Sequence, residues 1–415
     1  MLFFKVISTF LTAYIFIYML YYNLLSILGY AQVKEHVPSR LPNKKFLVVI
    51  PAHNEETVIS IPVKGFLEQT YPQELFDIYV IADHCNDQTA LVARTAGANV
   101  ITSEDYPKAR RHGVGKSNTI DFGLQCIEHL RNYDYLVIVD SDNEISPNLL
   151  QRYNDYATVK SDPEAMQTSL LSKKGRGFIN HGLNVAFKRS NHFQQSPESL
   201  FDCASLLGTG FATRMDIILV HGGFRFKTLV EDEYEELEII SHGGRVNFID
   251  DAYVVNENYS TFRQSIHGLT RWSRGSFECL LRFFFVAMVN MILRPSVKSI
   301  HVFCRISTLS KAIQINILWI FWLVQYIEMH YFDVNILFSV FSEQEMIVIL
   351  IINLTMTFNL IFAETYYLLI KDLGMLKTFW MMTKTYGFQL YYQGINVWAV
   401  LTFFKKKWIV TTHGE

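Results

Sequence analysis

The hydrophobic pattern of this 415-residue chain falls into three regimes. From Leu2 to Tyr30 it is almost continuously apolar, with Lys5 as the only charge, and a helix of that length spans a bilayer. From about residue 45 to 255 short apolar runs follow one another: FLVVIP at 46, DIYVIAD at 77, ANVITS at 98 and YLVIVD at 135. Helical stretches separate them, and that rhythm predicts an α/β domain with a mostly parallel sheet covered by helices. After about residue 260 the chain turns apolar and aromatic again. Residues 276–293 carry Glu278, Arg282 and Asn290 among phenylalanines and read as a helix in a membrane interface. Residues 313–329 and 346–370 read as two further spans, whereas 375–404 is interrupted by Lys377, Lys384, Gln389, Gln393 and Asn396.

Charge sets the expected topology. Lys34, Arg40, Lys44 and Lys45 follow the first apolar run, which places the α/β region in the cytoplasm and the N-terminus outside. Two further spans bring the chain back near Lys371. A third would leave Lys405, Lys406 and Lys407 outside, so 375–404 is expected to be an interfacial helix. A cleaved signal peptide ending at Gly29-Tyr30-Ala31 competes, but the apolar run is too long for one. The expected organisation is a spanning helix at 1–30, a cytoplasmic domain at 45–257, acceptor-side and interfacial helices at 258–300, two spans and an interfacial helix at 301–404, and a tail at 405–415.

Composition narrows the chemistry. Half of the residues are apolar, 14% are aromatic and mean hydropathy is +0.15, which fits a multi-pass protein of the cell membrane. The formal charge of -2 leaves no dominant basic face for nucleic acid. Cys85, Cys126, Cys203, Cys279 and Cys304 are odd in number and contain no C-x-x-C pair, which argues against a zinc site and a disulfide framework.

The polar residues that call for an explanation lie just after the apolar runs, where ligands bind in parallel sheets. Asp140 and Asp142 follow YLVIVD one residue apart. Ser146-Pro147 supplies an N-cap and first-turn pair for the next helix. The two acids are thereby left free for a hard cation and a diphosphate. Gly115-Lys116-Ser117 is not a P-loop, because the required glycine position holds Arg110. PAHNEE contains no glycine, which excludes a dinucleotide turn. Lys116 can still meet a phosphate or remain solvated. Val230-Glu231-Asp232 opens a helix, where acids also favour the dipole. Gly208-Thr209-Gly210 suits close approach of backbone to a ligand, and Arg271-Trp272 suits a membrane interface.

Taken in order, IPAHNEE, IADHCNDQTA, GKSNTIDFGL, DSDN, LLGTGFATR, VED and TRWSRG resemble the membrane-bound family-2 glycosyltransferases. The branch is similar to synthases of bacterial exopolysaccharide, cellulose, hyaluronan and poly-N-acetylglucosamine. The resemblance implies a GT-A fold, a nucleotide-sugar donor (a UDP-sugar foremost) and Mg²⁺ or Mn²⁺. It implies that Ala52, Asn54, Glu55, Asp83, Lys116 and Asp140 bind the nucleotide sugar and that Asp142, with Asp140, holds the metal. Asp232 becomes the general base, with Gly210, Glu231, Arg271 and Trp272 on the acceptor side. The segment 408–414 is similar to the gating loop of cellulose synthases, which implies that Thr411 and His413 close over the donor.

Two motifs depart from the family: Val230 replaces a threonine, and Gly268 stands where Q-x-x-R-W carries glutamine. The missing glutamine bears on processive polymerisation. The leading expectation is synthesis of a β-linked exopolysaccharide beside membrane lipids, with a homo-oligomer or export subunit supplying further spans. Transfer of one sugar to a membrane lipid is the alternative. A silent nucleotide-sugar or glycan-binding subunit is a third reading, opposed by the intact Asp140, Asp142 and Asp232. A transporter leaves the α/β insert unexplained.

Overall fold

The computed structural model describes residues 2–105, 115–173, 175, 177–224, 226, 228–259, 261–306 and 343–404. The order is α1 (Leu2–Tyr30), β1 (Phe46–Ala52), α2 (Ser60–Leu67), β2 (Phe76–Ala82), α3 (Thr89–Ala96), β3 (Asn99–Thr102) and α4 (Lys116–Cys126). Next come β4 (Tyr135–Ile138), β5 (Glu144–Ile145), α5 (Leu149–Val159), β6 (Ala165–Ser172), α6 (Phe178–Ser190), α7 (Ser196–Ser199), β7 (Phe211–Arg214), α8 (Met215–Val220), α9 (Glu231–Ser241) and β8 (Val246–Asn256). The described chain continues through α10 (Phe262–Leu293), α11 (Val297–Ile306), α12 (Glu343–Phe358), α13 (Glu364–Leu373) and α14 (Met375–Leu401).

All four apolar runs form strands of one eight-stranded sheet, ordered β3-β2-β1-β4-β7-β6-β8-β5. The pairings among β3, β2, β1 and β4 are parallel, as is β6 with β8. The sheet is nevertheless mixed, because β7 runs antiparallel to both β4 and β6 and β5 is antiparallel to β8. That reversal positions the site. Phe211 at the start of β7 pairs with Ile138 at the end of β4, so the loop before β7 lies beside the loop after β4.

Side chains alternate between two cores, as the strand period of two requires. Leu47, Val49, Leu136 and Ile138 join one cluster, and Phe46, Val48, Ile50, Tyr135 and Val137 join the other. Both sheet faces are covered, which is why the strands read as unbroken apolar runs.

The helices differ from expectation in places. Residues 276–293 are the second half of α10, a continuous helix of 32 residues. It starts at a capping box in which Thr261 and Gln264 satisfy each other's backbone N–H groups. α10 is long and apolar enough to cross a membrane. The expected span at 313–329 lies outside the described residues, and so do Lys405, Lys406 and Lys407. In α1, Tyr18, Met19, Tyr22 and Leu25 are buried against the protein, whereas Phe16, Leu20, Leu24 and Ile27 face outward. A buried Glu364 carboxylate fastens α13 to both Arg189 of α6 and Ser26 of α1. Ser146 does not cap α5. Its hydroxyl accepts the Tyr253 N–H at 3.0 Å, and Asn148 occupies the cap position without a side-chain bond.

Candidate active site

The loops after β1 and β2 are tied to each other. Asn54 adopts a left-handed φ of 57°, and its Oδ1 accepts the Asn86 N–H at 2.7 Å. The Glu55 N–H donates to Thr89 Oγ1 at 2.8 Å. Asp83 N–H donates to the carbonyl of Ala52 at 2.8 Å, so these strand ends advance together. The Asp83 carboxylate is buried and accepts from Thr119 Oγ1 at 2.7 Å and His84 Nδ1 at 2.9 Å, while His53 Nδ1 donates to its carbonyl at 2.6 Å. The sequence reading missed Thr119, His84 and His53; Thr119 lies inside GKSNT, three residues from Lys116.

Lys116 is the first residue of α4, and the left-handed Gly115 precedes it. Its Nζ donates to Asp140 Oδ1 and to the carbonyl of Gly208. Burial works to lower its pKa, but the carboxylates of Asp140, Glu231 and Asp232 outweigh that and hold it above the ordinary lysine value. The lysine that could have been a solvated surface cation is therefore enclosed by acids.

Asp140 N–H donates to Thr209 Oγ1 at 3.0 Å. Behind the two acids, Asn143 is fully buried and its Nδ2 donates to Asp142 Oδ1 and to Asn256 Oδ1, both at 3.0 Å. Neither Asp140 nor Asp142 is spent on capping a helix, although the reason differs from the expected Ser146 cap. Asn143 is a further missed residue: it holds the D-x-D turn from within.

Gly208 and Gly210 have separate duties. At Gly208 (φ +80°) an added Cβ would lie 3.3 Å from Asp232 Oδ2, so this glycine lets the backbone pass beside the acid. Gly210 lies under the site. A Cβ there would meet Val254 Cγ2 at 2.7 Å and Thr168 Oγ1 at 2.9 Å, and its carbonyl accepts from Tyr153 Oη and Gln167 Nε2. Packing inside the sheet demands glycine at 210, and Gly208 is the one bordering Asp232.

Glu231 and Asp232 form the first turn of α9, the former buried and the latter partly buried. Burial foremost, with repulsion from Glu231 and Glu233, lifts the Asp232 carboxyl from 3.8 to about 7, against the lowering effect of Lys116. A carboxylate near neutrality is suited to accept a proton. The glycines of α10 receive its neighbours. Gly275 faces Val230, whose Cγ1 would lie 2.6 Å from an added Cβ, and Gly268 faces the ring of Tyr259. Arg271 and Trp272 stand three and four residues after Gly268, on the same helix face. Trp272 lies 6.1 Å from the Tyr259 ring, centroid to centroid.

A buried ionic cluster backs α9. Arg305 Nε donates to Glu236 Oε1 at 3.0 Å and its Nη1 lies 3.9 Å from Glu233 Oε1. Ser276 Oγ donates to Glu233 Oε2 at 2.6 Å. His301, also buried, lies 3.5 Å from Glu236 and bonds Tyr21 of α1 at 2.8 Å. Thr411 and His413 lie outside the described residues.

Residues 42–275 match the profile of the family described as "Glycosyltransferase like family 2". The chain belongs to that family. This glycosyltransferase is 26% identical over 269 residues to a probable glycosyltransferase, YdaM, of Bacillus subtilis, the match covering 61% of each chain. It is 21% identical over 243 residues to a beta-monoglucosyldiacylglycerol synthase of Synechocystis, covering 58% of this chain and 49% of that one. It is 22% identical over 242 residues to a probable glucomannan 4-beta-mannosyltransferase of Oryza sativa, covering 55% and 40%. The chain thus spans about half the length of the curated relatives it matches. Among solved structures, the mannosyltransferase PcManGT of Pyrobaculum calidifontis, determined with GDP-Man and Mn²⁺, superposes with a TM-score of 0.58 at 14% identity, covering 97% of this chain and 99% of that one. The fold of this family-2 glycosyltransferase is GT-A.

Proposed function

We propose that this glycosyltransferase moves a sugar from a nucleotide diphosphate sugar, a UDP-sugar foremost, to a hydroxyl of a growing β-linked exopolysaccharide at the membrane surface. The observation that carries the reading is the convergence of Lys116, Asp140, Gly208 and Asp232 from four separate segments. Asp232 takes the proton of the acceptor hydroxyl as the new oxygen–carbon bond forms at the anomeric carbon. The bond from that carbon to the diphosphate oxygen breaks on the opposite side, so an α-linked donor yields a β-product. Lys116 leaves Asp140 for the diphosphate and offsets its charge. Ala52, Asn54, Glu55 and Asp83 border the nucleotide, and Glu231, Arg271 and Trp272 border the acceptor.

Asp140 and Asp142 are the residues that would hold Mg²⁺ or Mn²⁺. The two carboxylates stand one residue apart just beyond β4. That donor set fits a hard ion that takes its remaining ligands from diphosphate and water. Bound there, the ion supplies charge stabilisation to the leaving diphosphate.

The outward apolar stripe of α1 and the length of α10 support membrane attachment, with the catalytic domain on the cytoplasmic side. A second reading, one sugar delivered to a membrane lipid, is favoured by Tyr259 filling the space above Gly268. The experiment is incubation of membranes carrying the full chain with a panel of labelled nucleotide sugars, with and without chelator, followed by sizing of the product. Chelator-sensitive label in long polymer supports the first reading, and label in a single glycolipid supports the second. Absence of both transfer and donor hydrolysis would sink the assignment.

A further inference from the structure

Gly268 breaks the family's acceptor-side motif, and the structure gives a physical reason. An added Cβ would overlap the hydroxyl oxygen of Tyr259 and come within 2.7 Å of its Cε1. No side chain fits at 268 while Tyr259 stays in place. The neighbouring chain is held: Asn258 bonds Ser172 Oγ, and the Thr261–Gln264 capping box starts α10. Its body packs with Trp272 against Ile179, Leu183 and Leu269. Its hydroxyl lies over Gly268, one helical turn before Arg271 and Trp272. A half-buried phenol beside Trp272, with its hydroxyl over Gly268, is suited to bond a ligand hydroxyl.

We propose that Tyr259 and Gly268 are an exchanged pair: the Tyr259 hydroxyl supplies the acceptor-side hydrogen bond from the position that a side chain at 268 would otherwise occupy, and it selects the hydroxyl-bearing end of the acceptor. This rests on the transfer reading above, but its chemistry is the same for a glycan end and a glycerol headgroup. The substitution Tyr259→Phe removes the hydroxyl and keeps the packing. Gly268→Gln displaces the ring, and Tyr259→Ala makes room for that glutamine.

The test uses the full-length protein in lipid nanodiscs with two acceptor probes, a soluble β-linked tetrasaccharide and diacylglycerol. Calorimetry reads acceptor affinity without turnover, and nucleotide release reads transfer separately. For one of the two acceptors, Tyr259→Phe should weaken binding about five- to tenfold, the loss of one hydrogen bond; which acceptor responds identifies the source. Gly268→Gln should weaken binding of that acceptor at least tenfold, and adding Tyr259→Ala should recover much of the loss. Wild-type affinity of Tyr259→Phe for both acceptors, or independent effects of Gly268→Gln and Tyr259→Ala, overturns the pair. If Tyr259→Phe loses acceptor affinity while the unaltered chain transfers nothing from any donor, the pair stands and the transfer reading falls.

Discussion

Asp232 and Glu236 lie four residues apart on α9, the first partly and the second fully buried, and they titrate in opposite directions. For each, burial is the largest influence and raises the pKa. At Glu236 the charge of Arg305, with help from His301, more than cancels it, and the carboxyl is held below its ordinary value. Asp232 has acids on either side, and Lys116 with the Glu233 backbone N–H does not offset them, so burial prevails. A buried acid with a guanidinium is a permanent anion that fastens a helix. One without such a partner is poised to take up a proton.

That contrast can be broken first at the base. Asp232→Asn should lower transfer by about 10²- to 10⁴-fold while donor affinity by calorimetry stays within a few fold, because only the proton acceptor is lost. Asp142→Asn should differ in kind: transfer, donor affinity and metal response fall together, by at least about a hundredfold, since even outer partners of metal ligands cost ten- to hundredfold. Donor affinity surviving intact would remove Asp142 from the metal site.

The second turn of α9 is broken through its cation. Arg305→Met strands Glu233 and Glu236 and should destabilise the protein by about 3–5 kcal/mol, read as a fall in unfolding midpoint in nanodiscs. Adding Glu236→Leu should return part of that loss. If Arg305→Met unfolds like the unaltered chain, the cluster does not hold α9.

The smallest effect sharpens the comparison through pH. Transfer should rise as pH passes through about 7, where Asp232 loses its proton. Stability moves the other way. A carboxyl raised from 3.8 to about 7 binds its proton more tightly when folded, so its contribution is full below pH 4 and is lost as pH climbs through 7. Asp232→Asn should therefore raise the unfolding midpoint by a few degrees at pH 8 and leave it nearly level at pH 4.

The first half of the sheet was legible because apolar runs of four to seven residues bounded by polar loops leave few alternatives. The reversal at β7 was not, since a four-residue FATR strand carries no sign of its direction. Asp140, Asp142, Lys116 and Asp232 could be found because each sits at an element's end in a recognisable neighbourhood. Their supports could not. Arg305 reaches Glu236 across 69 positions and Asn143 reaches Asn256 across 113, and neither pairing leaves a local periodicity. Ser146 shows the opposite error: local chemistry predicted a cap, and a neighbouring strand claimed the hydroxyl. Gly268 read as a loss from the motif because the ring that fills its place belongs to the loop before α10.

On the proposed reading, the bond from Lys116 to Asp140 bears on the order of addition. The Lys116 ammonium neutralises one of the two carboxylates proposed for the cation, so a bare divalent ion would compete with it for Asp140. A nucleotide diphosphate offers the lysine new oxygens at the moment its own ion needs Asp140. Ion and donor should accordingly enter as one complex, and free Mg²⁺ titrated without nucleotide should bind far more weakly than in its presence. A cell rich in magnesium and poor in donor would then leave this cleft closed to the metal until sugar arrives.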